Sequence, residues 1–287
     1  MALLKNTVIN DVGAITLPRG TTAQRPTTPP EGSLRYNSDL GYTECYYQGF
    51  WFDISTGRGL PKGSEDHVIL LDASLAASTN GTTSARWLSL AENRYTGRHF
   101  DFYGSPTYTS DGLKSYWRFD TSDHAACENT CNDLDYNSVE VVFRRYTNSG
   151  NILYNKESCW EVQTSSNDFQ WAWQTTDRSW YWSATGAINN ADFYHSVVTY
   201  DGNRVRAYVN GRLRQTDDNY NNGTLQNQPS NYPKINGRSD PRTSATSLGS
   251  HDVAYFAVYD RPLDDMEVLH NYQACAERFE LPYNPYN

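Results

Sequence analysis

From Glu65 onward, apolar and polar residues alternate in short runs bounded by turn residues, at Val139 to Tyr146, Phe169 to Trp173, Tyr194 to Tyr200 and Arg204 to Asn210. A two-residue period puts successive side chains on opposite faces of an extended chain, so each run predicts a β-strand. The stretch Tyr194 to Gln215, YHSVVTYDGNRVRAYVNGRLRQ, carries the clearest signal, because Asp201-Gly202-Asn203 and Asn210-Gly211 are compact turns between alternating runs. Three successive antiparallel strands are expected there, with Val197 and Thr199 on one face and Val198 and Tyr200 on the other. Val205, Ala207 and Val209 form the next apolar row. Near the C terminus the period lengthens: Met266, Leu269, Tyr272 and Cys275 recur at helical spacing over Asp264 to Arg278, behind Pro262 and Asp264 as start signals. The predicted class is all-β, an antiparallel sandwich with one C-terminal helix.

The N-terminal part reads differently. Gly20 to Gly32, GTTAQRPTTPPEG, sets three prolines among threonines and predicts an exposed, extended arm. Ser33 to Ile54 then places β-prone runs around turns at Asn37-Ser38-Asp39-Leu40-Gly41 and Gln48-Gly49, the pattern of a three-stranded meander. So few residues bury little surface, so this module is expected to pair with copies of itself or with another protein. Ser55 to Ser64, STGRGLPKGS, has no apolar period and suits a connector. Three regions follow: residues 1–54 as arm and small β module for attachment or oligomerisation, 55–64 as linker, and 65–287 as the large domain.

Composition narrows the classes. Trp 8, Tyr 22 and Phe 10 against Met 2 suit pleated sheets better than packed helices. A net charge of -9 without a basic cluster argues against nucleic acid as a partner. The opening MALLKNTVIND builds no signal-peptide core, and no run of about 18 apolar residues predicts membrane insertion. Cys127 and Cys131 have the C-x3-C spacing of some zinc sites, yet a second close pair of Cys or His is missing, which favours ordinary buried or loop thiols.

Two stretches resemble known families. HSVVTYDGNRVRAYVNGRL and the closing VAYFAVYDRPLDDMEVLHNYQA are similar to the laminin-G-like, concanavalin-A-like jelly rolls, with VILLDASLAAS and FYGSPTYTSDGLKSYWRFD resembling earlier strands, so that the likeness spans Glu65 to Phe279. Separately, LPRGTTAQRPTTPPEGSLRYNSDLGYTECYYQGFWFDI resembles a short module of tail-fibre and other appendage proteins of tailed bacteriophages. That second resemblance implies a virion protein, often a homotrimer, made in the bacterial cytoplasm, with other virion proteins as partners and the jelly roll displayed. Its expected function is recognition of host-surface polysaccharide. The alternative is a capsid decoration, neck or baseplate component whose jelly roll contacts other particle proteins.

No enzyme is expected. A retaining glucanase of this fold needs paired carboxylates, usually as E-x-D-x-x-E or E-x-D-x-E, and neither pattern occurs, nor do G-x-S-x-G, H-E-x-x-H or a phosphate-cradling glycine loop. His195 opens a strand with no nucleophile nearby and is expected to be structural. Asp201, Asn203, Asp217 and Asp218 carry oxygens suited to calcium, but Asp-Gly-Asn is more simply a turn, so no catalytic residue, metal or cofactor is assigned. The candidate carbohydrate-binding residues are Trp171, Trp173, Trp180 and Trp182 with Gln170 and Asp177, since exposed indoles stack sugar rings and polar neighbours bond hydroxyls. Trp171 and Trp173 must share a face, and the competing expectation, which is favoured, is that this face fills the core. The Asn-rich segment Asn219 to Asp240 is either a recognition loop or a variable excursion.

Overall fold

A computed structural model describes residues 16–39, 42–47, 50–53, 67–79, 85–91, 95–110, 114–147, 151–166, 168–186, 188–190, 192–238 and 241–281. The segment expected as linker, 55–64, and the turn at Gln48-Gly49 lie outside them. The chain divides into two compact units, Met1–Gly59 and Leu60–Asn287.

In the first unit, Leu34–Asn37, Tyr42–Tyr47 and Phe50–Asp53 form the antiparallel meander, and Arg19–Gly20 adds a short parallel strand to its edge. The arm, Gly20 to Gly32, is largely exposed as expected, but it is folded back on the meander rather than extended throughout. Thr22–Gln24 is a turn of 3-10 helix capped by Thr21 and Gln24, and Arg25 forms an ion pair with Glu44 at 2.6 Å. Glu44 is fully buried, and Arg35 approaches it at 3.3 Å from the meander itself. A buried carboxylate demands cations and donors, and Arg25 of the arm supplies both.

The second unit is an antiparallel two-sheet sandwich. The first sheet runs, in spatial order, Tyr181–Thr185, Asp168–Trp173, Trp160–Ser165, Asn151–Lys156, Lys234–Ile235, His124–Cys127, Phe100–Tyr103 and Arg86–Trp87. The second runs Arg212–Asp217, Val205–Val209, Phe193–Tyr200, Asn137–Arg145, His251–Tyr259, Ser115–Phe119 and Thr107–Ser110, with His67–Asp72 also paired to His251–Tyr259. Rings from the two sheets meet in the interior, Phe100 and Tyr154 against Phe256 and Phe169 against Phe143, at centroid separations of 5.5 to 6.3 Å. The hairpin turn Asn210-Gly211 has φ of 50° and 72°, the left-handed pair that matches strand twist in a two-residue loop. A Cβ on Gly211 would come within 2.8 Å of the Tyr272 ring, so glycine also lets the helix approach.

That helix, Asp265–Phe279, is capped by Asp264, which accepts from the Met266 and Glu267 amides while Glu267 accepts from the Asp264 amide in return. Its buried stripe is Val268, Tyr272, Cys275 and Phe279. The expected stripe began at Met266, which the structure places at 72% exposure, because in the first turn that position points to solvent. The stripe packs on Val142, Val197 and Tyr255 of the second sheet, whose central strands are consequently buried on both faces.

Candidate binding face

The first sheet keeps an outward face of its own, and the strand register decides which side chains reach it. Glu161 lies opposite Ala172, which lies opposite Trp182, and the neighbouring row runs Gln163, Gln170, Ala184. Side chains directly opposite one another across a ladder share a face, so these two rows form one surface. The alternate rows, Trp160 with Trp173 and Tyr181, and Val162 with Trp171 and Ser183, point the other way.

This parity corrects half of the expected indole platform. Trp171 and Trp173 are 1% and 0% exposed and lie in the core between the sheets, where the Trp173 indole donates to Asn137 Oδ1 at 3.0 Å. They fill space that a pleated sandwich must occupy with bulky side chains, as the competing expectation held. Trp180 and Trp182 stay at the surface, edge to face at 6.0 Å, and Trp182 is 37% exposed. Gln170 joins them on the outward face, held by a 2.6 Å hydrogen bond from Gln163. Asp177 is exposed but lies apart, in the loop beside Gly223 and Thr175. Tyr181, at the sheet edge, stacks under Arg178 at 4.1 Å.

Glu161 and Arg238 were not foreseen. The Glu161 side chain is fully buried, accepts from Asn155 Nδ2 at 2.6 Å and has Arg238 Nη1 at 3.5 Å, while its Oε1 accepts no hydrogen bond. Burial pushes its pKa up to about 7, against the pull of Arg238 and with help from Glu157. The parity of Glu161 with Trp182 was available from the sequence once two hairpin turns were fixed, but Arg238 arrives from a distant loop.

That loop roofs part of the face. Lys234 Nζ donates to the carbonyls of Pro241 and Ser244, and Arg242 donates to Cys127 O and pairs with Asp101. Asn236, at φ 61°, donates to the carbonyls of Asp120, Asp123 and Gly249. The Asn-rich segment is thus neither an excursion nor a free recognition loop up to this point. Leu225 and Gln226 bond to Asp135 and Gln174, and the chain then enters the middle of the sheet as Lys234–Ile235. The half bearing Gln163, Gln170 and Trp182 lies at the opposite end of the sheet.

Other candidate chemistry is accounted for by packing. His195, Glu140 and Cys275 converge beneath the C-terminal helix with ligand atoms within 4.8 Å of one another, the one such group among the described residues. Glu140 lies 2.6 Å from His195 Nε2 and accepts from Tyr259 and from Asn271 at 3.1 Å, so protein donors already occupy it. Asp201 Oδ1 accepts from the Asn203 and Arg204 amides, the turn expected rather than a calcium loop. Asp217 bonds Asn219, Ser183 and Arg178.

Comparisons with known proteins agree with the geometry. The family model described as Concanavalin A-like lectin/glucanases superfamily matches residues 120–269, more than half of the chain. No curated protein sequence matches it. Among solved structures, the binding domain of botulinum neurotoxin serotype D/C superposes with a TM-score of 0.56 at 12% identity, covering 75% of this chain and 53% of that one. The receptor-binding domain of botulinum neurotoxin mosaic serotype C/D gives 0.52 at 12% over 73% and 51%, and the binding domain of Paraclostridial Mosquitocidal Protein 1 gives 0.54 at 13% over 73% and 52%. This chain spans about half the length of those structures, and the likeness is one of fold. Among the described residues, no helix is long and apolar enough to cross a membrane.

Proposed function

We propose that this chain binds glycans through the outward face of its first sheet: it belongs to the concanavalin A-like lectin/glucanases superfamily, and its open half-face presents indoles beside amides. The observation that carries this reading is the exposed Trp182, edge to face with the half-buried Trp180, next to the Gln163 and Gln170 amides. An indole face stacks on the apolar side of a sugar ring, and carboxamides offer both donors and acceptors to hydroxyls. The role is binding rather than turnover. The structural neighbours are named as binding domains, one of them as a receptor-binding domain, and a recognition use of the same scaffold is in keeping with that.

The setting we propose is a bacteriophage appendage. It rests on the N-terminal resemblance and on a first unit that folds as a small, separate sheet. In this reading residues 1–54 attach or trimerise and the jelly roll is displayed to host polysaccharide. Sedimentation at three times 32.7 kDa supports the trimer, and a micromolar monomer removes it.

The decisive experiment is an array of bacterial surface polysaccharides probed with the full chain. Binding is expected to weaken by about tenfold or more in Trp182→Ala, the size typical of losing a buried aromatic anchor. Absence of binding to every glycan, or undiminished binding by a folded Trp182→Ala variant, overturns the proposal.

A further inference from the structure

The outward face of the second sheet ends in a charged row. Arg144 follows Val142 by two residues on one strand and so shares its outward face. The ladders set Phe193, Arg144, Asp252, Arg118 and Thr107 side by side across five strands. Asp252 is the floor of this row: its side chain is 0% exposed, whereas Arg144 and Arg118 on either side are 22% and 45% exposed. Arg118 Nε donates to Asp252 Oδ1 at 2.9 Å, and Arg144 Nε and Nη2 donate to Oδ2 at 2.9 and 2.5 Å. Tyr146, itself exposed, donates to Oδ2 at 2.5 Å and accepts from Arg118 Nη2 at 2.5 Å. Aromatic faces steady both guanidiniums: the Tyr146 ring lies 5.0 Å from Arg118 and 5.3 Å from Arg144, and Phe193 lies 4.5 Å from Arg144.

The charges in this row do not balance. Arginine pairs elsewhere in the unit meet carboxylates two for two: Arg86 and Arg242 with Asp101 and Glu128, and Arg204 and Arg206 with Asp201 and Asp218. Here, among the described residues, Asp252 is the one carboxylate paired with Arg118 or Arg144. A surplus positive charge therefore stands at the surface of a chain whose net charge is -9. Tyr146 does not offset it, because burial and the Asp252 carboxylate push its pKa up to about 12 and keep the phenol protonated. Neither Nη1 group has a hydrogen-bond partner among the described residues, so each guanidinium keeps a pair of N–H donors unused. A cation already fixed by a buried carboxylate and by stacked rings loses little further freedom when it takes an anion.

We infer that Arg118 and Arg144, held by Asp252 and Tyr146, form a second binding site that takes the carboxylate of an acidic sugar. One surplus charge matches a monoanion, and a planar carboxylate accepts paired N–H donors from a guanidinium. That a sugar bears the carboxylate rests on the glycan-binding reading above, while the anion site rests on the row itself. The two sites lie on different sheets and use different chemistry, indole stacking on the first and charge on the second.

Calorimetric titration of the full chain with tetragalacturonate at low salt tests this. The acid is expected to bind with a Kd of about 1 mM or tighter, and its methyl ester, which keeps the sugar rings and loses the charge, about tenfold or more weakly. Raising the ionic strength from about 0.01 M to about 1 M shortens the screening length from about 30 Å to about 3 Å and should weaken binding of the acid. Arg118→Gln removes the surplus charge yet leaves Asp252 paired with Arg144, so a folded variant is expected to lose about tenfold in affinity for the acid. Should that variant fail to fold, Arg118→Lys keeps the charge, gives up the planar Nη1 donors and is expected to weaken binding by about threefold. No binding of the acid, equal binding of acid and ester, or undiminished binding by the folded Arg118 variant overturns the inference. Neutral glycans report on Trp182 and the first sheet alone, so either reading fails without the other.

Discussion

The two sheets of the sandwich use their outward faces in opposite ways. The second sheet is sealed by the C-terminal helix, and polar groups beneath that helix are held in two clusters: Arg278 pairs with Asp72, and Glu140 collects His195, Tyr259 and Asn271. The first sheet is roofed by a loop over one half and leaves Trp182 exposed on the other. A sealed face whose charged groups are paired contributes stability and uniqueness. An open face with large aromatic side chains contributes little to stability and is therefore free to serve recognition.

Substitutions on the two sides should separate these roles. Arg278→Ala, which strands the buried Asp72 carboxylate under the helix, is expected to cost about 3–5 kcal/mol in urea denaturation. An effect below about 1 kcal/mol would show that the helix is not pinned by that pair. Trp173→Ala opens a cavity in the core and is expected to cost about 3–5 kcal/mol, while Trp182→Ala on the open face should cost under about 1 kcal/mol. Equal losses would erase the distinction between core and surface indoles.

Acid should weaken the sandwich where the roof loop meets it. His251 is fully buried beside Asn236 at 2.7 Å, and burial lowers its pKa from 6.5 to about 4. The folded state then binds fewer protons than the unfolded chain, so this contribution is intact above pH 6.5 and is lost as pH falls through 4. Between pH 7 and 4.5 it amounts to about 2–3 kcal/mol. His251→Gln should flatten that part of the profile, and an unchanged slope would assign the acid sensitivity elsewhere.

Much of the scaffold was legible because its signals are local. Alternation located Asn137–Arg145, Phe193–Tyr200 and Val205–Val209 to within about two residues, and the helical spacing behind Pro262 and Asp264 located the helix. The direction of a face is a different matter. Alternation states that Trp171 and Trp173 agree, and only the packing of a second sheet states that they point inward. Long-range electrostatics left no local mark either: Glu44 recruits Arg25 across the arm, and Glu161 meets Arg238 from a loop far along the chain. Lys234–Ile235 escaped notice since two residues cannot display a period.

Those two residues have an outsized mechanical position. In the described sheet they form the seam between a leaf of four strands ending at Asn151–Lys156 and a leaf of three beginning at His124–Cys127. Each leaf can accept changes in its own loops without disturbing the other's ladder, as long as the stitch at Ala125, Ile235 and Tyr154 stays closed.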